Sequence, residues 1–142
     1  MPSLFYSKEV SVGADGEKMG LMFVDSSLML CASYSYAGDS GGHMLLMHNE
    51  HIRLRDVHCT EEAQQKWGDE QYKWINETVK LWDNDPNMLW RAVVLHHPMW
   101  GKWYPDFAPI VLNFLPILQE HKFDLYLCGH EHVVSYANYP YS

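Results

Sequence analysis

The sequence predicts an α/β fold: a mixed sheet that contains a βαβ unit and carries its helices on the outside. Three patterns predict it: an apolar hairpin over residues 4–25, a long amphipathic helix that starts near Thr60, and a strand–helix–strand succession over residues 92–128. Two strands of one sheet joined by a helix form a right-handed crossover, so the last two strands should be parallel. The 142 residues suffice for a single domain with a real core.

The amino-terminal segment has the pattern of a β-hairpin. Residues 4–12 have strand composition, residues 13–16 supply two glycines for a turn, and residues 19–25 form an apolar run typical of a buried strand. Asp25 ends this run. It is either a catalytic carboxylate by position or, as is more common for an aspartate at a strand end, the cap of a turn.

Residues 33–58 have loop composition. Within them, His48 and His51 have the i, i+3 spacing of a helical metal pair. No predicted strand positions that pair, so a solvated polar loop is the preferred interpretation.

The next segment predicts a long helix. Thr60 has the position of an N-cap, and Glu61 and Glu62 follow in the first turn, where the helix dipole favours negative charge. Residues 83–87 end the helix. One side is apolar at helical spacing and is expected to join the core rather than bind a cofactor: Trp67, Trp74, Ile75, Thr78 and Trp82.

Two apolar runs, residues 92–95 and 124–128, predict the strands of the βαβ unit. The second run does not alternate with polar residues, which indicates a buried strand covered on both faces. The helix between the runs is predicted from apolar residues at helical spacing: Ile110, Val111, Phe114, Ile117 and Leu118.

Histidines follow both of these strands. His96 comes directly after the first, while Gly129, which is expected to make a sharp turn, leads from the second into His130 and His132. Each histidine alone would more often be an ordinary turn residue. Because parallel strands end at the same edge of a sheet, the three imidazoles should converge, and together they predict a metal site.

Composition excludes several classes of protein. A net charge of −8 without a run of Lys or Arg disfavours a nucleic-acid or anionic-membrane surface. No apolar stretch reaches the ~20 residues of a membrane span. The three cysteines have no zinc-like spacing, and buried or free thiols are preferred over disulfides.

The histidine motifs resemble those of the calcineurin-like metallophosphoesterases, and within them the mammalian-type (tartrate-resistant) purple acid phosphatases. Residues 93–100 resemble the Val-x-x-His-x-Pro context, and residues 126–132 resemble the Gly-His-x-His motif. Further similarity carries the resemblance, with gaps, along nearly the whole chain, at residues 1–6, 23–25, 30–31 and 55–57.

The resemblance implies acid phosphatase-like hydrolysis of phosphate monoesters at a dinuclear metal centre, with Fe paired with Fe, Zn or Mn in the complete protein. His96 and His130 correspond to ligands of the divalent metal, and His132 corresponds to the histidine ligand of the ferric ion. His97 stands where the family commonly has Tyr or another residue, so it receives no ligand role. No catalytic residue beyond these ligands is assigned.

The motifs that supply the family's Asp, Tyr and Asn ligands are not in the sequence. In family order they precede the stretch that begins here at Met1, and the closing strands would follow Ser142. We therefore expect residues 1–142 to form one incomplete metallophosphoesterase domain, its carboxyl-proximal half. Three imidazoles without a bridging carboxylate cannot hold two metals about 3.5 Å apart, so this chain alone should be inactive, with its metal centre incomplete or absent.

Two hypotheses follow. In one, a missing half-domain or a partner protein completes a phosphomonoesterase; in the alternative, the chain is a non-catalytic pseudophosphatase subunit with a structural or interaction role. Neither involves nucleic acid or a membrane span. The resemblance, together with the Asn76-Glu77-Thr78 glycosylation sequon, suggests a secretory, lysosomal or extracellular location.

Overall fold

The computed structural model describes residues 4–31, 62–99 and 108–136. The N-cap predicted at Thr60 and the polar loop predicted over residues 33–58 lie outside these ranges. The elements, in chain order, are β1 (Tyr6–Ser11), β2 (Lys18–Phe23), α1 (Ser26–Cys31), α2 (Glu62–Asp83), β3 (Met88–Val94), α3 (Ala108–Asn113), α4 (Leu115–Glu120) and β4 (Leu125–Leu127). None of the helices in the described ranges has the length and apolar character needed to cross a bilayer.

The strands form one mixed sheet in the order β1-β2-β3-β4. β1 and β2 are antiparallel, as a hairpin requires, while β2 and β3 and then β3 and β4 are parallel. The predicted α/β class, the hairpin and the parallel βαβ unit are therefore confirmed. Val94 pairs with Leu127 at the carboxyl ends of β3 and β4, so the segments that follow both strands leave the same edge of the sheet.

The helix predicted between β3 and β4 is divided in two. α3 ends at Asn113, and α4 starts after Phe114 with Pro116 in its first turn. Proline has no backbone N–H to donate to the carbonyl one turn earlier, so a continuous helix is interrupted there. Phe114, Ile117 and Leu118 are still buried, as predicted.

α2 supplies one wall of the core, but its buried side is rotated from the predicted one. Thr78 and Trp82 are buried as expected, whereas Trp67 is 48% exposed and its assignment to the core was wrong. At 3.6 residues per turn, the centre of the buried side runs through Ile75 and Trp82, and Trp67 lies just beyond its margin at Thr78. The remaining predicted positions are Ile75, which is buried, and Trp74, which is partly buried against the core.

The indole of Trp82 lies directly on the backbone of β2. A Cβ placed on Gly20 would come within 2.8 Å of the Trp82 ring, which is closer than such atoms approach in proteins. Trp82 is 2% exposed and its ring also contacts Phe123, at a centroid distance of 6.1 Å. The helix can pack this close to the sheet only because residue 20 has no side chain.

β4 is an edge strand, and the prediction that it is covered on both faces was wrong. Leu125 is 45% and Leu127 is 49% exposed, and Cys128 beyond them is exposed too. Only Tyr126 turns toward the core, where it is partly buried. Within the described ranges no element covers the second face of β4, so its apolar run does not mark two-sided burial.

A charged network joins α2, β3 and α4 near the beginning of β4. The Asp83 carboxylate bonds the Arg91 guanidinium at 2.9 Å and the His121 Nδ1 at 2.6 Å. Arg91 also donates to the backbone carbonyls of Trp82 and His121. The backbone N–H of Arg91 donates to the Asp124 carboxylate at 2.8 Å, which fixes the start of β4 against β3.

Candidate metal centre

The histidine-bearing segments after β3 and β4 are held together by backbone hydrogen bonds. The Leu95 N–H donates to the Leu127 carbonyl at 3.0 Å, and the Gly129 N–H donates to the His96 carbonyl at 3.1 Å. These bonds continue the parallel ladder past the ends of both strands. The main chain therefore sets the separation of His96 from the residue that precedes His130.

The side chains of His96 and His130 meet, as the sequence predicts. The Nε2 atom of His96 lies 2.9 Å from the Nδ1 atom of His130. His97 joins them: the three residues each offer a ring nitrogen, and these nitrogens all lie within 4.8 Å of one another. Sequence reasoning gave His97 no role because the family commonly has another residue there, although its place directly after His96 was the signal that could have found it.

His97 is held from the core side by the first residue of α1. Ser26 is 1% and His97 is 3% exposed. The Ser26 Oγ atom lies 2.7 Å from Nδ1 of His97 and accepts the backbone N–H of His97 at 3.1 Å. On the other side, the Tyr126 hydroxyl donates to the His97 carbonyl at 2.6 Å. Both the backbone and the ring of His97 are thus fixed.

α1 is itself anchored by Asp25 and Gln71. The Asp25 Oδ1 atom accepts the backbone N–H groups of Ser27 at 2.9 Å and Leu28 at 3.4 Å. The buried Gln71 side-chain amide makes two hydrogen bonds to the backbone of Asp25: it accepts the N–H at 2.7 Å and donates to the carbonyl at 2.9 Å. Asp25 is therefore a cap, and the catalytic interpretation of this residue is not supported.

The positive φ angles in the turn after β4 belong to the histidines rather than to the glycine. His130 has a φ of 71° and His132 a φ of 49°, both in the left-handed region, whereas Gly16 is the only glycine of the described ranges with a positive φ. Non-glycine residues pay about 1 kcal/mol or more for this conformation. The Gly129 carbonyl accepts the Glu131 N–H at 2.9 Å, so the tight turn starts at Gly129 as expected, and the left-handed conformation lies on the two imidazole-bearing residues.

His132 is exposed and lies outside the group of nitrogens that are within 4.8 Å of one another. The structure thus brings together two of the three predicted donors, His96 and His130. The ligand role of His132 stays a prediction.

The neighbouring thiol lies outside the group of clustered donor atoms. Cys128 is exposed overall, yet desolvation on its covered side raises the pKa of the Cys128 thiol, and the charge of Glu131 raises it further. The donor atoms that lie within 4.8 Å of one another belong to His96, His97 and His130 and do not include the Cys128 sulfur. The donors that the described residues bring together here are therefore imidazoles.

The pair of His96 and His130 fits one transition-metal cation. Two nitrogens bound to one cation at about 2.0–2.1 Å lie about 2.9 Å apart at octahedral angles and about 3.4 Å apart at tetrahedral angles. The observed 2.9 Å between His96 and His130 matches the lower value. Imidazole suits Zn, Fe, Cu or Ni, and the group includes no carboxylate among the described residues.

Comparison with known families agrees with this geometry. The family model for calcineurin-like phosphoesterases matches residues 20–134, a span that runs from within β2 to beyond β4 and includes all of the clustered histidines. No curated protein matches the chain. Since the match extends over well more than half of the sequence, the chain belongs to the calcineurin-like phosphoesterase family.

Proposed function

We propose that this chain carries the carboxyl-proximal half of the metal centre of a phosphomonoester hydrolase of the acid phosphatase type. The observation that carries the proposal is the 2.9 Å approach of His96 Nε2 to His130 Nδ1 at the ends of adjacent parallel strands. Family membership supports phosphoester hydrolysis in general. The acid phosphatase type rests on the resemblance of the residues around His96 and His130.

Each part of the chain has a separate task in this proposal. His96 and His130 would hold the divalent cation, and His132 would turn toward a second, ferric ion. When bound, the cations supply the positive charge that a phosphate monoester requires, which a chain of net charge −8 does not otherwise offer. The backbone hydrogen bonds from Leu95 to Leu127 and from Gly129 to His96 would hold the main chain that carries the two imidazoles while phosphate enters and product leaves.

A second ligand source completes the site. Three neutral imidazoles bring no charge to balance two cations and no bridging oxygen, so the proposal assigns the carboxylate, phenolate and amide ligands to a missing half-domain or a partner protein. The exposed edge of β4 is where additional strands can pair. Residues 1–142 are thus proposed as an incomplete domain.

The alternative function is a non-catalytic subunit. The observation that favours it is that, among the described residues, the histidine group contains no carboxylate. In this reading the half-sheet is a binding or structural module, and its partner packs over the rim that carries His96 rather than presenting ligands to it.

The experiment isolates the native protein with its associated chains and measures bound metal together with hydrolysis of p-nitrophenyl phosphate at acid pH. The proposal expects bound Fe with Fe, Zn or Mn, turnover by the complete assembly, and no turnover by the 142-residue chain alone. His96→Ala and His130→Ala should each abolish turnover, while Glu77→Gln on the exposed side of α2 should not change it. An assembly without metal and without turnover would reject the phosphatase and leave the structural role.

A secretory, lysosomal or extracellular location is proposed from the family resemblance. The sequon gives it little added support. Asn76 lies in the middle of α2 and donates to the Tyr72 carbonyl at 3.0 Å, and the buried Thr78 hydroxyl donates to the Trp74 carbonyl at 2.9 Å. A glycan could reach Asn76 only before this helix forms. Secretion is tested by following the tagged native protein in cells, and retention in the cytosol would contradict it.

A further inference from the structure

The rings of His96, His97 and His130 form a nearly equilateral triangle. Their centroids are 4.8 Å apart for His96 and His97, 4.9 Å for His96 and His130, and 4.9 Å for His97 and His130. His96 and His130 face each other through ring nitrogens. The ring of His97 is buried in the core, whereas the rings of His96 and His130 lie nearer the surface.

The ring centroids of the triangle are spaced as in three imidazoles on one cation, while the ring nitrogens, which lie within 4.8 Å of one another, would turn inward on binding. Rings bound through one nitrogen at about 2.0–2.1 Å have centroids about 4.5 Å apart at octahedral angles and about 5.2 Å apart at tetrahedral angles. All three observed separations fall between these limits. The tilts between ring planes, 82°, 85° and 42°, show that the rings do not stack on one another.

Ser26 contacts Nδ1 of His97, which makes Nε2 the nitrogen that would bind a cation. Its Oγ atom lies 2.7 Å from Nδ1 and also accepts the backbone N–H of the same residue. A hydroxyl oxygen can accept both, with the proton of the imidazole on Nδ1. That tautomer puts the lone pair of His97 on Nε2, at the far side of the ring. Histidines that bind metals are commonly oriented in this way, by a hydrogen bond to their second nitrogen.

We propose that His97 is a third imidazole donor to the cation held by His96 and His130, and that Ser26 is its positioning residue. The inference rests on the proposed function in placing a cation at this rim. It adds that the cation is bound through one face by three neutral nitrogens, which leaves the opposite face for oxygen ligands and phosphate. Such a face selects Zn²⁺ or Co²⁺ over Mg²⁺ or Ca²⁺, which prefer oxygen.

The test titrates the 142-residue chain with Co²⁺, followed by its d–d absorption, and with Zn²⁺, followed by calorimetry. The key variant is His97→Asn, since the asparagine amide nitrogen takes roughly the place of Nδ1 and keeps the contact with Ser26 but has no atom at Nε2. We expect His97→Asn and Ser26→Ala to weaken binding about 10- to 100-fold. X-ray absorption on the Zn²⁺ form should count three imidazoles in the wild type and two in His97→Asn.

The matched control is His121→Asn. His121 is also buried and also uses Nδ1 in a hydrogen bond, to Asp83 at 2.6 Å, but it precedes β4 instead of following it. This variant should lose stability and keep the wild-type affinity for Co²⁺. If His97→Asn proves too unstable to purify, the nitrogen chemical shifts of the wild type decide: Zn²⁺ should move Nε2 of His97 together with the metal-facing nitrogens of His96 and His130.

The outcomes separate this inference from the proposed function. Equal affinity and an equal imidazole count in wild type and His97→Asn, with binding lost in His96→Ala, would overturn the role of His97 and leave the phosphatase proposal intact. Three bound imidazoles in a completed protein that does not hydrolyse p-nitrophenyl phosphate would support the donor set and reject the phosphatase. A wild-type chain that binds no Zn²⁺ or Co²⁺ would overturn the inference outright.

Discussion

Replacing Gly20 by alanine should destabilise the protein by forcing α2 away from the sheet. The added Cβ would lie 2.8 to 2.9 Å from three atoms of the Trp82 indole. That ring is rigid and almost fully buried, and Phe123 lies against it, so it has no room to turn aside. The sheet and the helix therefore have to separate by several tenths of an ångström.

The magnitude follows from two opposing effects. Overpacking a close contact in a core costs about 1–3 kcal/mol. Alanine also restricts the unfolded chain more than glycine does, which returns about 0.4–1 kcal/mol to the folded state. The net loss for Gly20→Ala is therefore expected at about 1–2 kcal/mol in the free energy of unfolding.

Urea denaturation followed by tryptophan fluorescence measures this loss. Gly13→Ala is the matched control, because its Cβ would come even closer to another atom, 1.6 Å from the Glu17 carboxylate, but that atom ends a flexible side chain that can swing away. We expect Gly13→Ala to change stability by less than about 0.5 kcal/mol. In a Trp82→Leu background, Gly20→Ala should become neutral or stabilising, giving a coupling energy of about 1–2 kcal/mol.

Two results would refute this reasoning. If Gly20→Ala were as stable as the wild type, the contact between α2 and β2 would be looser than the structure has it. If Gly13→Ala lost as much stability as Gly20→Ala, the loss would reflect backbone conformation rather than the Trp82 ring.

Three further predictions concern the supports of the sheet and of α1. Asp83→Asn removes the anion that bonds the guanidinium of Arg91, and because Asp83 is 39% exposed and Arg91 is 13% exposed, it should lower the free energy of unfolding by about 1–2 kcal/mol. Urea denaturation measures this loss, and an unchanged midpoint would mean that solvent replaces the pair. The Lys18 ammonium, and after it a backbone N–H, lowers the pKa of Asp85 below its ordinary 3.8, so the ionised carboxylate stabilises the fold above that pH and this contribution is lost as pH falls through the lowered folded-state pKa. Asp85→Asn should therefore flatten the acid side of a plot of melting temperature against pH. An unchanged slope would contradict the pairing. Gln71→Leu keeps the side-chain volume but removes the two hydrogen bonds to the Asp25 backbone at the start of α1, so it should lower the free energy of unfolding by about 1–3 kcal/mol. The variant should also weaken Co²⁺ binding. An unaffected affinity would show that α1 does not orient the site.

The order of the elements and the direction of the strands follow from local patterns. The glycine turn between two apolar runs fixes a hairpin, and the strand–helix–strand spacing after Met88 fixes a parallel pair, so both were predictable. The convergence of His96 and His130 follows in turn, because parallel strands end at one edge of the sheet.

Burial was less predictable, because an apolar run does not state what lies on either side of it. The run in β4 looks like a central strand, but only its place at the end of the sheet order decides that Leu125 and Leu127 are exposed. Trp67 has helical spacing with the core residues of α2, but it is exposed because the side of α2 that faces the core is rotated from the predicted side. Both errors come from tertiary context that periodicity does not contain.

The sequence predicts which strand ends carry the site, but it does not predict the full set of histidine rings that come together there. A role for His97 depends on Ser26, which is 71 positions away in the chain and comes into contact only through α1. The positive φ values of His130 and His132 could not be read from the sequence either, since glycine is the residue ordinarily expected to adopt them.

The continuation of the β-ladder beyond Val94 and Leu127 has a thermodynamic consequence for ion capture. Backbone hydrogen bonds between the strands already fix the main chain at His96 and Gly129. Binding of a metal ion therefore costs conformational entropy mainly in the side-chain torsions and very little in the backbone. The amide proton of Gly129 should accordingly exchange with deuterium about as slowly in the metal-free protein as in the metal-bound one, because the backbone of the site is already formed before the ion binds.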